Sequence, residues 1–207
     1  CATKDNDEFK LNINWNKNTL NDYLYPTDGV SNTLSAGIAL PLGDYRYFNI
    51  NADYKNYKPI SDTVTLKLTG NLNFSKGYNG KELPFYKRNF GGGSGSVRGF
   101  GNKTLGPLYP NGKAKGGEIA IVGSANLIAP ALFIDNNEKM RMSAFIDAGN
   151  IYEKSSNIKL GDLRMSAGFG FAYLSPIGSI GAFISTPILK KDGDTIEDFG
   201  FSLGTGF

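Results

Sequence analysis

The run TVTLKLTGNLNFS, residues Thr63–Ser75, decides the fold of this chain. Its apolar side chains stand at every second position, namely Val64, Leu66, Leu68, Leu72 and Phe74. Thr, Lys and Asn side chains occupy the positions between them. Successive side chains of a β-strand point to opposite faces of a sheet. An alternation of period two therefore predicts a strand with one apolar and one polar face.

The same alternation recurs along the rest of the chain. It is found upstream near Phe9–Trp15 and at Leu34–Leu40 and Phe48–Lys55, and downstream at Glu118–Ala129, Met140–Tyr152, Leu163–Leu174, Ser179–Leu189 and Asp198–Phe207. The pattern predicts about nine strands of ~10 residues, the length that a tilted strand needs to cross a bilayer. No apolar run approaches the ~20 residues of a transmembrane helix, so none is predicted.

Two all-β architectures share this alternation: a soluble β-sandwich and a membrane-spanning β-barrel. The polar faces repeat Asn, Thr, Ser and Lys, which suits a wet barrel interior, and tyrosines gather near strand ends, as in the aromatic girdles of outer-membrane barrels. These tyrosines are Tyr45, Tyr47, Tyr57, Tyr78 and Tyr173. Tight turns such as Ser61-Asp62 contrast with long polar connections at 79–117 and 153–162. The pattern favours the barrel and leaves the sandwich as the alternative.

Composition excludes several classes of function. The net charge of +3 is small and the Lys and Arg residues are dispersed, so no nucleic-acid partner is expected. With no His and one Cys, the chain has no His-based catalytic triad, His-ligated metal site or internal disulfide. The carboxylates are scattered, and the glycines at 91–95 lack the Lys-Ser/Thr of a phosphate-binding loop. We therefore predict no enzyme activity, catalytic residue, cofactor or metal, and interpret Cys1 as the point where a fragment begins.

The connection at 79–117 contains the run GGGSGSVRGF, residues 91–100, in which Arg98 is the one cation. Glycine permits positive φ angles and a close approach of the backbone to other groups. An Arg between Val97 and Phe100 suits a partly desolvated position beside a carboxylate. We interpret the run as a loop folded into the mouth of a barrel, which we call the signature loop (79–117), rather than as a flexible linker.

The last predicted strand ends on an aromatic residue. Phe199, Phe201, Leu203, Thr205 and Phe207 share one face of Asp198–Phe207. A final strand that stops on an aromatic resembles the carboxyl-terminal signal of bacterial outer-membrane barrels.

Several motifs resemble the outer-membrane assembly and two-partner-secretion superfamily. Ser96-Val97-Arg98-Gly99-Phe100 resembles its signature loop, and Phe145-Ile146-Asp147-Ala148-Gly149-Asn150 its second signature. Tyr25-Pro26-Thr27-Asp28-Gly29, Glu82-Leu83-Pro84-Phe85-Tyr86, Met165-Ser166-Ala167-Gly168 and Ser175-Pro176-Ile177-Gly178 resemble the branch that assembles other barrels. The resemblance covers nearly the whole chain beyond Phe9.

The resemblance implies an antiparallel transmembrane β-barrel in the bacterial outer membrane. Complete barrels of the family have sixteen strands, so this chain would supply about nine carboxyl-terminal ones, with residues 79–117 as an extracellular loop folded into the barrel. The family's periplasmic POTRA domains would lie outside this chain. Because an open sheet leaves two unpaired edges, which lipid does not tolerate, we expect the sheet to close with further strands or another copy.

The resemblance also implies that Arg98 of the signature loop pairs with Asp147 inside the barrel. The alternation agrees, since Ser143, Phe145 and Asp147 share one face while Met142 and Ile146 lie on the other. Where the family often has an acidic residue, this chain has Asn126, which can accept a hydrogen bond but adds no charge. The anchor is therefore expected to depend mainly on Asp147.

The function implied by the resemblance is the folding and insertion of outer-membrane proteins through a lateral gate between the first and last barrel strands. Gly200, Gly204 and Gly206 would weaken the terminal strand. The implied partners are nascent outer-membrane proteins, assembly lipoproteins recruited by the absent POTRA domains, and outer-membrane lipid. The alternative is a transporter of the two-partner-secretion or autotransporter-assembly type.

Overall fold

Nine strands form one antiparallel sheet in the computed structural model, which describes residues 7–23, 25–131, 139–175 and 178–204. In chain order the strands are β1 (Lys10–Asn18), β2 (Gly29–Ala39), β3 (Tyr47–Pro59), β4 (Thr65–Gly77), β5 (Gly99–Phe100), β6 (Ile119–Pro130), β7 (Met140–Tyr152), β8 (Arg164–Ser175), β9 (Gly178–Leu189), β10 (Ile196–Glu197) and β11 (Phe199–Gly204). The sheet order is β1-β2-β3-β4-β6-β7-β8-β9-β11, and β5 pairs separately with β10.

The predicted all-β antiparallel fold is confirmed. All nine long strands fall where the alternation predicts them, and a single sheet replaces the two layers of the sandwich alternative. The main differences lie at strand ends: β2 begins at Gly29 rather than near Leu34, because its pairing with β3 continues as far as Tyr57. The two-residue strands β5 and β10 were not predicted, since so short a pairing leaves no periodic pattern.

The sheet is not closed by the described part of the chain. β1 pairs there with β2 alone, and β11 pairs with β9 alone, so these two strands are the edges. Phe207 and Thr205 of the predicted terminal strand lie outside the described residues.

The two faces of the sheet invert the pattern of a soluble protein. We call the face that packs against the signature loop the inner face and the opposite one the outer face. On β4, Lys67 of the inner face is 7% exposed, whereas Leu72 of the outer face is 45% exposed. On β7, Asp147 is buried and Ile146 is exposed. Apolar side chains facing outward along successive strands are what a surrounding lipid phase requires.

Connections between strands differ at the two ends of the sheet. At one end, β3 and β4 are joined by a turn in which the backbone N–H of Ile60 donates to the carbonyl of Val64. At the other end, the signature loop joins β4 to β6 and returns over the inner face. The described residues also contain short 3-10 helices at Phe85–Lys87, Ser155–Asn157 and Leu160–Asp162. In this part of the chain no helix has the length and apolar character needed to cross a membrane.

Candidate functional site

Backbone conformation brings the signature loop against the inner face. Gly99 has a φ of 87°, a conformation that other L-residues rarely adopt. A Cβ at this position would lie 3.2 Å from Ser166 Cβ and 3.3 Å from Ser185 Oγ. Glycine at position 99 therefore permits both the turn and the close approach of the loop to β8 and β9.

Apolar side chains hold the loop in place on both sides of Arg98. Val97 and Phe100 are almost fully buried and form one cluster with Leu105, Ala120 and Ile151. Leu105 belongs to the same loop, whereas the last two residues belong to β6 and β7. The loop therefore has its own packed core against the sheet.

Arg98 contacts Asp147 through a bidentate ion pair. Its Nε lies 2.7 Å from Oδ2 and its Nη2 lies 2.8 Å from Oδ1. The backbone N–H of Arg98 also donates to Oδ2, over 3.0 Å. Asp147 is fully buried and Arg98 is 8% exposed. Such a charge-assisted contact through two hydrogen bonds fixes the relative orientation of the two side chains in addition to pairing opposite charges.

The guanidinium group of Arg98 is held on two further sides. Its Cζ lies 3.3 Å from the centroid of the Phe145 ring, a cation–π arrangement. Its Nη2 donates to Asn126 Oδ1 over 2.8 Å and to Ser124 Oγ over 3.2 Å. The structure thus brings together Arg98, Asp147 and Asn126, the three residues predicted for the loop anchor.

Ser124 is a fourth member that the sequence analysis missed. Its hydroxyl donates to Asp147 Oδ1 over 2.5 Å and accepts from Asn126 Nδ2 over 2.8 Å. Ser124 pairs directly with Asp147 across β6 and β7, and it stands two positions before Asn126 on the same face. The register of this hairpin would have identified it. We call Arg98, Asp147, Asn126 and Ser124 the loop anchor.

A second buried cation lies beside the loop anchor. Lys67 pairs with Asn126 across β4 and β6 and places its Nζ 5.6 Å from the centroid of the Tyr57 ring. Among the described residues no carboxylate lies within ion-pair distance of Lys67. Two buried cations, Arg98 and Lys67, therefore lie at the anchor, and among the described residues Asp147 is the carboxylate that forms an ion pair there. No group of three or more His, Cys, Asp or Glu side chains that could hold a metal ion is found in the described ranges.

The terminal strand β11 presents aromatic side chains on the outer face. Phe199, Phe201 and Leu203 are exposed, and the rings of Phe199 and Phe201 lie 4.7 Å apart between centroids. Phe183 of β9 covers the position where Gly200 lacks a side chain, since a Cβ there would lie 2.4 Å from Phe183 Cζ. The backbone of Gly204 pairs with Ser179.

The fold and the loop anchor together define a class: outer-membrane β-barrel proteins in which a long loop is fixed to the inner wall by a buried ion pair. A model of the Omp85 superfamily domain matches residues 2–207. The chain belongs to the Omp85 superfamily. Membership and fold together confirm the predicted location in the bacterial outer membrane.

Two proteins similar to this chain come from a bacterium and a yeast. The chain is 32% identical, over 96% of its length, to "Outer membrane protein assembly factor BamA" of Neisseria meningitidis serogroup B, and the match covers 29% of that protein. It is 26% identical, over 95% of its length, to a SAM50-like protein of Schizosaccharomyces pombe, of which 43% is covered. These matches confirm the predicted resemblance, and the chain spans less than half the length of either relative.

A crystal structure of BamA from Haemophilus ducreyi lacking POTRA domains 1–3 has a similar fold, with a TM-score of 0.84 and 32% identity. The superposition covers 93% of this chain and 41% of the other.

Proposed function

We propose that this chain forms part of the barrel of a machine that folds and inserts proteins into the bacterial outer membrane. The proposal is supported by the similarity to a protein described as an outer membrane protein assembly factor. It is also supported by the similarity to a SAM50-like protein of a eukaryote. The proposal assigns the chain no enzymatic step and no cofactor.

The observation that carries the proposal is the loop anchor, which fixes the signature loop to the polar inner face of a sheet whose outer face is apolar. The terminal strand β11 pairs with β9 over Phe199–Gly204. In the described chain its other edge has no neighbouring strand. Free N–H and C=O groups at a sheet edge can pair with an incoming extended segment, as in β-augmentation.

The proposed lateral gate uses this edge. In the whole protein, β11 would pair weakly with the first barrel strand, and a client strand would replace that pairing. Gly200 and Gly204 favour weak pairing, because glycine in a strand has a high entropic cost of ordering and offers no side chain to pack. Client strands would then be added one hairpin at a time while their outward side chains enter the lipid.

In this proposal the loop anchor fixes the signature loop in the barrel interior while the gate opens and closes. Removing one partner of a buried ion pair costs roughly 3–5 kcal/mol, whereas the intact pair adds little net stability. The Arg98–Asp147 contact is therefore better suited to setting the position of the loop than to stabilising the barrel. The implied partners are nascent outer-membrane proteins, outer-membrane lipid and, through POTRA domains beyond this chain, assembly lipoproteins.

Depletion of the full-length parent protein in its own cells tests the proposed function. Folded outer-membrane barrels can be followed through their heat-modifiable mobility on gels. We expect a loss of many folded barrels, with recovery on re-expression of the parent. Loss of a single exported protein, with the other barrels intact, would contradict the proposal and favour a dedicated transporter of the two-partner-secretion or autotransporter-assembly type.

A further inference from the structure

A second buried ion pair joins the last connection of the sheet, residues 190–198, to the inner face. Arg164, the first residue of β8, donates from Nη2 to Asp194 Oδ1 over 2.8 Å and from Nε to Asp194 Oδ2 over 3.1 Å. Its Nη1 donates to Asn150 Oδ1 over 2.7 Å. The two charged side chains are 9% and 5% exposed, so solvent screens the pair only slightly.

The last connection is also paired with the signature loop. β10 runs antiparallel to β5, with Ile196 opposite Phe100 and Glu197 opposite Gly99. The backbone N–H of Gly101 donates to the carbonyl of Thr195 over 2.9 Å. The Ile196 side chain packs against the loop core that contains Phe100. The residues that follow Arg98 are therefore attached to the last connection by backbone and side-chain contacts.

One residue separates this pairing from the terminal strand. β10 ends at Glu197 and β11 begins at Phe199. The carbonyl of the intervening Asp198 accepts a hydrogen bond from the backbone N–H of Ser185 over 2.8 Å. Since one extended residue spans only about 3.3 Å, a displacement of β10 cannot be absorbed before β11 begins.

We propose that these contacts couple the signature loop to the terminal strand. We call the Arg164–Asp194–Asn150 contacts together with the β5–β10 pairing the clasp. With the clasp formed, the signature loop and β11 hold or change their positions together. Its consequence for client insertion rests on the proposed function, since the clasp would link a loop inside the barrel to the gate strand.

Hydrogen exchange of the full-length parent in lipid nanodiscs tests the clasp. Arg164→Gln and Asp194→Asn each break the buried pair. We expect the amides of residues 92–101 and of 199–204 both to exchange faster, by about tenfold or more, because local opening of both segments becomes easier. The combination of Arg164→Asp with Asp194→Arg should recover part of the protection.

Lys191→Gln is the matched control. Lys191 lies in the same connection as Asp194, and its ion pair with Asp162 is exposed to solvent. We expect this variant to leave both segments unchanged. Faster exchange in residues 92–101 with no change in 199–204 would overturn the coupling. No change in either segment would overturn the clasp altogether.

A disulfide provides a second test that does not require the Arg164 variants to fold. Gly101 stands opposite Thr195, one position beyond the Phe100–Ile196 pair, so Gly101→Cys with Thr195→Cys, in a Cys1→Ser background, can cross-link the clasp. Oxidation should slow exchange in β11 as well as in the loop, and reduction should reverse it. An effect confined to the loop contradicts the proposal. Because exchange is read without any client protein, failure of the clasp is distinguishable from failure of the proposed function.

Discussion

Replacing Arg98 and Asp147 of the loop anchor, singly and together, should reveal a strong energetic coupling between these two residues. Arg98→Met removes two charge-assisted hydrogen bonds to Asp147 and leaves a fully buried carboxylate with a single backbone donor from position 98. Asp147→Leu leaves a guanidinium group that is 8% exposed. We expect each single change to lower the free energy of unfolding by roughly 3–5 kcal/mol, because each leaves one buried charge without its partner.

The double variant should cost much less than the two single variants together. With both charged groups replaced by apolar ones, neither buried charge is left uncompensated. We expect an interaction energy of about 3 kcal/mol or more, at or above the upper end of values for residues in direct contact. The assay is urea-induced unfolding of the full-length parent in lipid vesicles, read by heat-modifiable gel mobility.

Lys113→Gln is the control for this cycle, since Lys113 is an exposed residue of the same loop. Its effect should stay within about 0.5 kcal/mol. If the Arg98 and Asp147 substitutions are additive within about 0.5 kcal/mol, the two residues act independently and the predicted coupling is refuted.

Three further predictions concern the same loop. Asn126→Asp should raise the free energy of unfolding, measured in urea, by about 1 kcal/mol, because two buried cations then have two carboxylates. A decrease in that free energy would show that desolvation of the new carboxylate dominates. Gly99→Ala should lower that free energy by roughly 1–2 kcal/mol because of its positive φ, whereas Gly95→Ala, where a Cβ meets no atom within 4 Å, should be nearly neutral. A hydrogen bond from Lys115 lowers the pKa of Glu153 from 4.5. This contact therefore stabilises the loop above pH 4.5, and the stabilisation is lost as the pH falls through the lowered pKa. The mobility of a spin label in the loop should rise over that pH range, and Lys115→Gln should abolish this pH dependence.

The strands could be predicted because their cause is local. Each long strand alternates polar inner and apolar outer side chains, as Lys67 and Leu68 do on β4. This pattern can be recognised in the sequence without knowing which strands are neighbours. Inversion of the usual burial could also be anticipated from the repeated Asn, Thr and Ser residues. Strand ends were less accurate, since the start of β2 at Gly29 depends on how far β3 extends as its partner.

The loop anchor could not be derived from local pattern. Arg98 and Asp147 are far apart in sequence, and the contact was predicted from a family resemblance rather than from spacing. Ser124 was missed because its position opposite Asp147 depends on the register of β6 and β7.

The clasp was missed for a related reason. In the sequence, Arg164 stands at the start of a predicted strand and Asp194 in a polar connection. Neither position indicates that the two side chains form an ion pair. Only the return of the last connection over the inner face brings their side chains within 2.8 Å. Contacts of this kind depend on how two connections fold against each other, and connections have no periodic sequence pattern from which their conformation could be predicted.

The most direct test of the proposed function is to lock the terminal strand. In the full-length parent, a cysteine at Ser202 of β11 would be paired with a cysteine at the facing position of the first barrel strand, in a Cys1→Ser background. Oxidation should stop the folding of client barrels, reduction should restore it, and either cysteine alone should have no effect. Normal client folding by a fully cross-linked protein would contradict the lateral gate.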